Sequence, residues 1–245
     1  MVEAAGADIL DMNFGCPVPK VTKTGAGATL LEEPSNAAAI VTAVRNAVNI
    51  PVTVKMRRGL HDGSRAALMV GPMLVDAGAS ALTLHPRSAK QMYTGRADHS
   101  LTAELVERVD VPVIASGDLA TYSDAHALME RTGCAAVMIG RAAQGRPWIF
   151  REIEHYLRTG STLPAPGLLE VERILLEHLA ALHAFYGELM GVRIARKHVG
   201  WYLATLPGAR EFRARFNRLD STDAQCAHVR EFFRERHDDG NEVAA

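Results

Sequence analysis

Val52-Thr53-Val54-Lys55-Met56-Arg57 places Val52, Val54 and Met56 on one face of an extended segment and Thr53, Lys55 and Arg57 on the other. Side chains alternate with period 2 along a strand, so this run predicts an apolar face and a polar face. Leu82-Thr83-Leu84-His85-Pro86-Arg87 follows the same rule, with Thr83, His85 and Arg87 together, and Asp11 and Asn13 share a face at the end of an earlier run. Each polar set lies towards the carboxyl end of its segment.

Five β-rich runs, Asp8–Met12, Val52–Met56, Ala81–His85, Val111–Ala115 and Ala135–Ile139, alternate with helix-like stretches at Ser35–Val48, Arg65–Ala77, Leu101–Val109 and Ser123–Arg131. Strand and helix in regular succession predict βαβ units and a parallel sheet. A helix closing on Gly78 before the next strand agrees with this. A (β/α)₈ barrel gathers its functional residues at the carboxyl ends of its strands. The expected fold is therefore α/β, a TIM-type barrel over residues 1–160. With only five strand candidates, and an opening at Met1–Asp8 that reads as a last helical turn feeding a strand, the barrel is expected to lack about three N-terminal βα units.

Beyond residue 160 the pattern changes. Leu163-Pro164-Ala165-Pro166-Gly167 reads as a linker. Val171, Leu175, Leu179, Leu182, Phe185, Tyr186 and Leu189 then recur at helical spacing, and further helices are expected at Arg193–Thr205, Ala209–Arg218 and Asp223–Arg234. Residues 168–245 form a small all-helical domain on this reading.

The composition, 245 residues with 48% apolar and 22% charged, suits a chain with a full core. No apolar run is long enough to span a membrane, and residues 1–15 lack a basic-then-apolar leader. Cys16, Cys134 and Cys226 are odd in number and far apart, which fits a reducing cytoplasm better than a disulfide framework. Without Cys-x-x-Cys or His-x-x-x-His, no metal site is expected. The net charge of −1 conceals an asymmetry: Arg193, Arg196, Lys197, Arg210, Arg213, Arg215 and Arg218 face a single acid, Glu211, within residues 193–218. A local basic surface of this kind is compatible with polyanion binding by a neutral whole.

The most informative stretch is Asp11-Met12-Asn13-Phe14-Gly15-Cys16-Pro17-Val18-Pro19-Lys20, followed by Lys23-Thr24-Gly25-Ala26-Gly27-Ala28. It sets a thiol just past a strand end, in a loop stiffened by two prolines. A cysteine there is either a structural thiol or one aimed at a substrate above the strand ends; Cys134 and Cys226 fit the structural case. This segment resembles the active-site segment of tRNA-dihydrouridine synthases, particularly the bacterial B-type. The resemblance continues in order through Val54-Lys55-Met56-Arg57, Leu84-His85-Pro86-Arg87, Ser116-Gly117-Asp118, Ile139-Gly140-Arg141-Ala142 and Arg196-Lys197-His198-Val199-Gly200-Trp201-Tyr202, and so covers essentially the whole chain.

The resemblance implies an FMN-dependent enzyme, supplied with electrons by NADPH, that reduces the C5=C6 bond of D-loop uridines in tRNA. It implies that Cys16 is the general acid protonating C5, a task suited to a thiol that can reload from water, and that Asn13 holds the base. Lys55, His85 and Arg87 match cofactor-binding positions, and a cation there favours the charge that appears on a reduced flavin. Ser116, Gly117, Asp118, Gly140 and Arg141 match the phosphate-binding loops of such barrels. Ser116 departs from the Asn usual in B-type members but can still donate a hydrogen bond. Arg196, Lys197, His198, Trp201 and Tyr202 match the tRNA-binding helical domain, where cations beside aromatics suit RNA. The implied protein is cytoplasmic and monomeric, with tRNA as partner and neither membrane nor DNA. Two alternatives stay open: an FMN barrel oxidoreductase of small molecules, like dihydroorotate dehydrogenase, and an inactive RNA-binding remnant.

Overall fold

The computed structural model describes residues 1–238; the stretch 239–245 of the expected helical domain lies outside the described residues. The chain forms two compact units that divide between Gly140 and Arg141, earlier than the boundary at residue 160 expected from the sequence.

The first unit runs β1 (Leu10–Phe14), α1 (Pro19–Thr22), α2 (Pro34–Ala47), β2 (Val52–Arg57), α3 (Ala66–Asp76), β3 (Ala81–His85), α4 (Ser100–Val106), β4 (Val113–Ser116), α5 (Tyr122–Thr132) and β5 (Ala136–Met138). The five strands make one sheet in the order β1-β2-β3-β4-β5, and every neighbouring pair is parallel. Chain order and sheet order coincide because each helix carries the chain back over the sheet to start the next strand alongside. The first strand begins at Leu10 and runs to Phe14, so Asn13 belongs to the strand itself.

Period 2 places the core where the residue pattern requires. Val52, Val54 and Met56 are wholly buried, as are Leu82 and Leu84, and Val54, Met56, Leu82 and Leu84 pack in one apolar cluster with Leu68, Val70 and Leu74 of α3. Thr53 and Lys55 are only partly buried on the opposite face. Local signals end the elements cleanly. α5 opens on a capping box, in which Asp124 N donates to Thr121 Oγ1 and Thr121 N donates to the Asp124 carboxylate, and it closes on Gly133 at φ +66°. Such a box satisfies helix N–H groups that otherwise lack partners.

The described elements of the second unit are helical: α6 (Ile149–Thr159), α7 (Leu168–Tyr202), α8 (Ala209–Phe216) and α9 (Thr222–Asp238), with a short 3₁₀ turn at Arg141–Ala143. α7 is not one rod. Gly187 sits at φ +71°, ψ 172°, outside helical space, and the chain doubles back there. Beyond the break Gly191 lies so close to His183 that a Cβ would come within 3.0 Å of its Cα. Further down, the rings of His178 and His198 meet at 4.9 Å. α7 is therefore a helical hairpin, and buried Gln225 of α9 ties both arms: it accepts from His183 Nε2 at 3.0 Å and donates to Val192 O at 3.0 Å.

Leu175, Leu179, Ala195 and Val199 of the hairpin bury against Phe212 and Phe216 of α8 and Val229, Phe232 and Phe233 of α9. Each large side chain buried like Phe216 or Phe233 contributes roughly 1.5–3 kcal/mol over an exposed one. The hairpin corrects one expectation. Phe185, Tyr186 and Leu189, which continue the helical spacing of the first arm, stand at its tip and are 81%, 46% and 67% exposed. Among the described residues no helix is long and apolar enough to cross a membrane.

Candidate active site

The carboxyl ends of β1 to β4 bring Asn13, Lys55, His85 and Ser116 to one rim of the sheet. Asn13 pairs in register with Lys55, Lys55 with Thr83, and Arg57 with His85. The Asn13 side-chain oxygen accepts from Gly15 N at 3.0 Å, turning the chain sharply out of β1 so that Cys16 follows at once. Gly15 itself lies against the end of β2, where a Cβ would approach Arg57 N to 3.3 Å. Cys16 is half-buried. Its carbonyl accepts from Ala28 N at 3.1 Å, and Gly27, at φ +64°, crosses so near that a Cβ would fall 2.6 Å from the Cys16 oxygen. Gly27 is thus a packing requirement, since only a residue lacking Cβ can pass at that distance and that dihedral.

Arg57 is the residue that the sequence reading quoted in a motif but assigned no role. It is 3% exposed. Its Nε donates to Gly15 O at 3.1 Å, and its Nη1 donates to Ser88 O and Met92 O, both at 2.8 Å. One buried guanidinium thereby joins the Cys16 loop to the loop after β3, and its carbon lies 5.6 Å from the Tyr93 ring centre. The available signal was parity: Arg57 shares the face of Lys55, one strand turn nearer the rim.

Arg87 forms a second hub and is 2% exposed. Nε donates to Thr94 O at 3.0 Å, Nη2 donates to Gly95 O at 2.7 Å and to both Asp118 oxygens at 2.6 and 2.8 Å, and Nη1 reaches His85 Nε2 at 3.3 Å. Asp118 also accepts from Ala97 N at 2.7 Å. Arg87, which the resemblance matches to a cofactor-binding position, is held by protein groups on all of these donors and touches His85 through Nη1. His99, unremarked in the sequence, is buried and reaches Gly117 O at 3.0 Å and Thr102 Oγ1 at 3.1 Å. Burial holds the His99 imidazole below its usual range.

The site has a positive field with a neutral imidazole at its centre. Burial, then the charges of Arg57, Lys55 and Arg87, push His85 down to about 3. Burial and neighbouring Arg57 lower Lys55, with Asp11 opposing. Among the described residues the Lys55 ammonium has no hydrogen-bonding partner, which leaves a half-buried cation for an anionic or electron-rich ligand. Gly117, at φ +114°, touches the His85 ring so closely that a Cβ would stand 2.8 Å from Cδ2. Gly140 closes the first unit, and Arg141 opens the 3₁₀ turn of the second. Among the described residues no group of three or more His, Cys, Asp or Glu is arranged to hold a metal.

The remaining expected residues cluster in the second unit, on the returning arm of α7. Lys197 is exposed, with its ammonium 4.7 Å from the Trp201 ring centre. His198 meets the same indole edge-on at 5.1 Å. Tyr202 is buried, its hydroxyl 3.2 Å from His178 Nδ1, and burial pushes it up to about 12. Arg196 turns inward: it is half-buried, Nη2 donates to Leu219 O at 3.1 Å, and Nε is buried without a partner.

The family model described as dihydrouridine synthase (Dus) matches residues 1–237. A tRNA-dihydrouridine synthase B of Pseudomonas aeruginosa is 56% identical over 240 residues, covering 98% of this chain and 72% of that protein. The protein of the same name from Pseudomonas putida is 55% identical over 246 residues, 98% of this chain and 73% of its own. That of Vibrio cholerae is 45% identical over 239 residues, 95% and 74% respectively.

Proposed function

This chain belongs to the dihydrouridine synthase family, and from that premise we propose that it acts in tRNA dihydrouridine synthesis as a flavin-dependent oxidoreductase in the cytoplasm. The observation that carries the reading is the placement of Cys16. Its loop is pinned by the Gly15–Arg57 hydrogen bond to the same rim that presents Lys55 and His85. The parallel strands and the rim location support reading the sheet as part of a (β/α)₈ barrel.

The residues present fit FMN. Lys55 offers an unpaired cation to the electron-rich edge of an isoalloxazine, and His85, neutral, offers an N–H. A phosphate would meet the Ser116-Gly117-Asp118 turn with the Asp118 charge already answered by Arg87; Gly140 and Arg141 are the further phosphate candidates. When bound, FMN supplies to uracil C6 the hydride that it receives from NADPH.

The chain's own residues then have definite tasks. Cys16 delivers the proton to C5 and regains one from water. Asn13 spends its side-chain oxygen on Gly15 N, so its amide nitrogen is the donor for a base carbonyl. Arg57 sets the position of the Cys16 loop, and Arg87 orients His85 from below. Lys197, His198 and Trp201 hold the tRNA, while Arg196 and Tyr202 support that surface from within.

The test is to supply the protein with FMN, NADPH and a tRNA transcript and to count dihydrouridine by mass spectrometry. The expected outcome is dihydrouridine that requires both the transcript's fold and NADPH. Reduction of free pyrimidines with no change in tRNA would instead support a small-molecule reductase.

A further inference from the structure

The second unit contains a cleft of about 650 Å³ that the chemistry proposed for Cys16 does not use. Its walls include Trp201 and Tyr202 from the returning arm of α7, His178 from the outgoing arm, and Gln144 from the segment following the 3₁₀ turn. Lys197 and His198 also line it, as does Glu177, whose carboxylate is paired with Arg173 at 2.7 Å. The walls are aromatic, yet hydrogen-bonding groups are set into them at fixed positions.

Those positions are tightly determined. The His178 and His198 rings meet edge to face at 4.9 Å, and His178 Nδ1 is paired with the Tyr202 hydroxyl. Gly145, at φ +75°, lies so close to the second arm that a Cβ would be 2.4 Å from the Trp201 carbonyl carbon. The cleft wall at Gly145 is therefore packed against the backbone of Trp201, while the indole itself meets Lys197 and His198. Both imidazoles are lowered by burial, so at neutral pH they act as hydrogen-bonding groups, and Lys197 supplies the cation.

We infer that this cleft is a nucleotide site: it takes one unpaired nucleotide of the tRNA, its base against Trp201 and its phosphate on Lys197, apart from the uridine that meets Cys16. A planar heteroaromatic base matches walls of rings that carry donors and acceptors. One phosphate matches one exposed ammonium held over the indole. Single-stranded bases splayed onto aromatic side chains are how proteins read unpaired RNA. The inference rests on the proposed tRNA function but is separable from it, because it concerns a second contact made by different residues from those that meet the reacting base.

The experiment measures tRNA affinity over a range of salt for the protein and for Trp201→Ala, Trp201→Phe and Lys197→Gln. Losing one base–aromatic stack costs roughly tenfold or more in affinity. Trp201→Ala is expected to show that loss with an unchanged salt slope, and Trp201→Phe should recover most of it. Lys197→Gln, at an exposed position, should lower the slope by about one counterion. In a parallel titration, uridine and adenosine 5′-monophosphates should perturb the Trp201 indole N–H resonance, and tRNA should displace them. Wild-type affinity and salt slope in both Trp201→Ala and Lys197→Gln would overturn the site. So would displacement by NADPH and not by tRNA, which would give the cleft to the reductant. If the unmodified protein binds no tRNA, the proposed function fails first; normal tRNA binding with an indifferent Trp201 defeats only the cleft.

Discussion

Arg87 donates from Nη1 to Nε2 of His85 across 3.3 Å. A guanidinium carries donors only, so His85 Nε2 must accept and the ring keeps its proton on Nδ1. The same burial that makes this contact, with the charges of Arg57, Lys55 and Arg87, holds His85 near 3. The imidazole beside the candidate flavin site is therefore a neutral hydrogen-bond donor of fixed tautomer.

Histidine nitrogen NMR should find His85 in the Nδ1–H form and silent between pH 5 and pH 8. In Arg87→Met, whose buried side chain can no longer donate, both tautomers should appear. A wild-type His85 titrating near 6.5 would refute the assignment.

The histidines also set a stability slope. His85, His99, His178 and His198 all have folded-state values below the unfolded one. Below about pH 6.5 the unfolded chain binds more protons than the folded chain, so stability rises with pH in this range. Their contribution is complete above the unfolded value and is lost as pH falls towards the folded values, near 3 for His85. Thermal unfolding between pH 4 and pH 7 should show the midpoint falling with acid, less steeply in His85→Gln.

Cys16→Ala should still bind FMN and accept electrons from NADPH, yet form dihydrouridine about 10²–10⁴-fold more slowly, the usual cost of losing a general acid. Undiminished formation would remove Cys16 from the chemistry.

Lys55→Ala withdraws a half-buried cation that has no hydrogen-bonding partner among the described residues. Flavin should be retained less well or show a lower reduction potential, since the anionic reduced form loses its counter-charge. Spectroelectrochemistry of the purified variant checks this, and an unchanged potential with full flavin content would place Lys55 away from the cofactor.

Gly27→Ala should be costlier than a surface change of the same size. The new methyl group would require φ +64° of an alanine and would meet the Cys16 carbonyl at 2.6 Å. A destabilisation of about 1–3 kcal/mol is expected, together with slower turnover as the Cys16 loop shifts. Denaturant unfolding and the dihydrouridine assay read the two effects separately; wild-type stability would mean that the loop yields freely.

The parts legible in the chain are those governed by near neighbours. Alternation at Val52–Arg57 and Leu82–His85 is local, so the strands, their buried face and the rim holding Lys55 and His85 could be read directly. The cysteine segment could be read for the same reason, because its glycines and prolines restrict their own dihedrals. The protein partners of the arginines could not. Arg57 reaches groups 42, 31 and 35 residues away, and Arg87 donates to Asp118, 31 residues on. A residue's charge advertises a ligand equally whether that charge faces a cleft or is answered by carbonyls brought in from elsewhere. The hairpin of α7 is similar: helical spacing runs on through Phe185 and Leu189, and a single glycine permits but does not dictate a reversal. What imposes it is the packing of two arms against α9, where Gln225 satisfies both at once, and that contact exists only once the chain has folded.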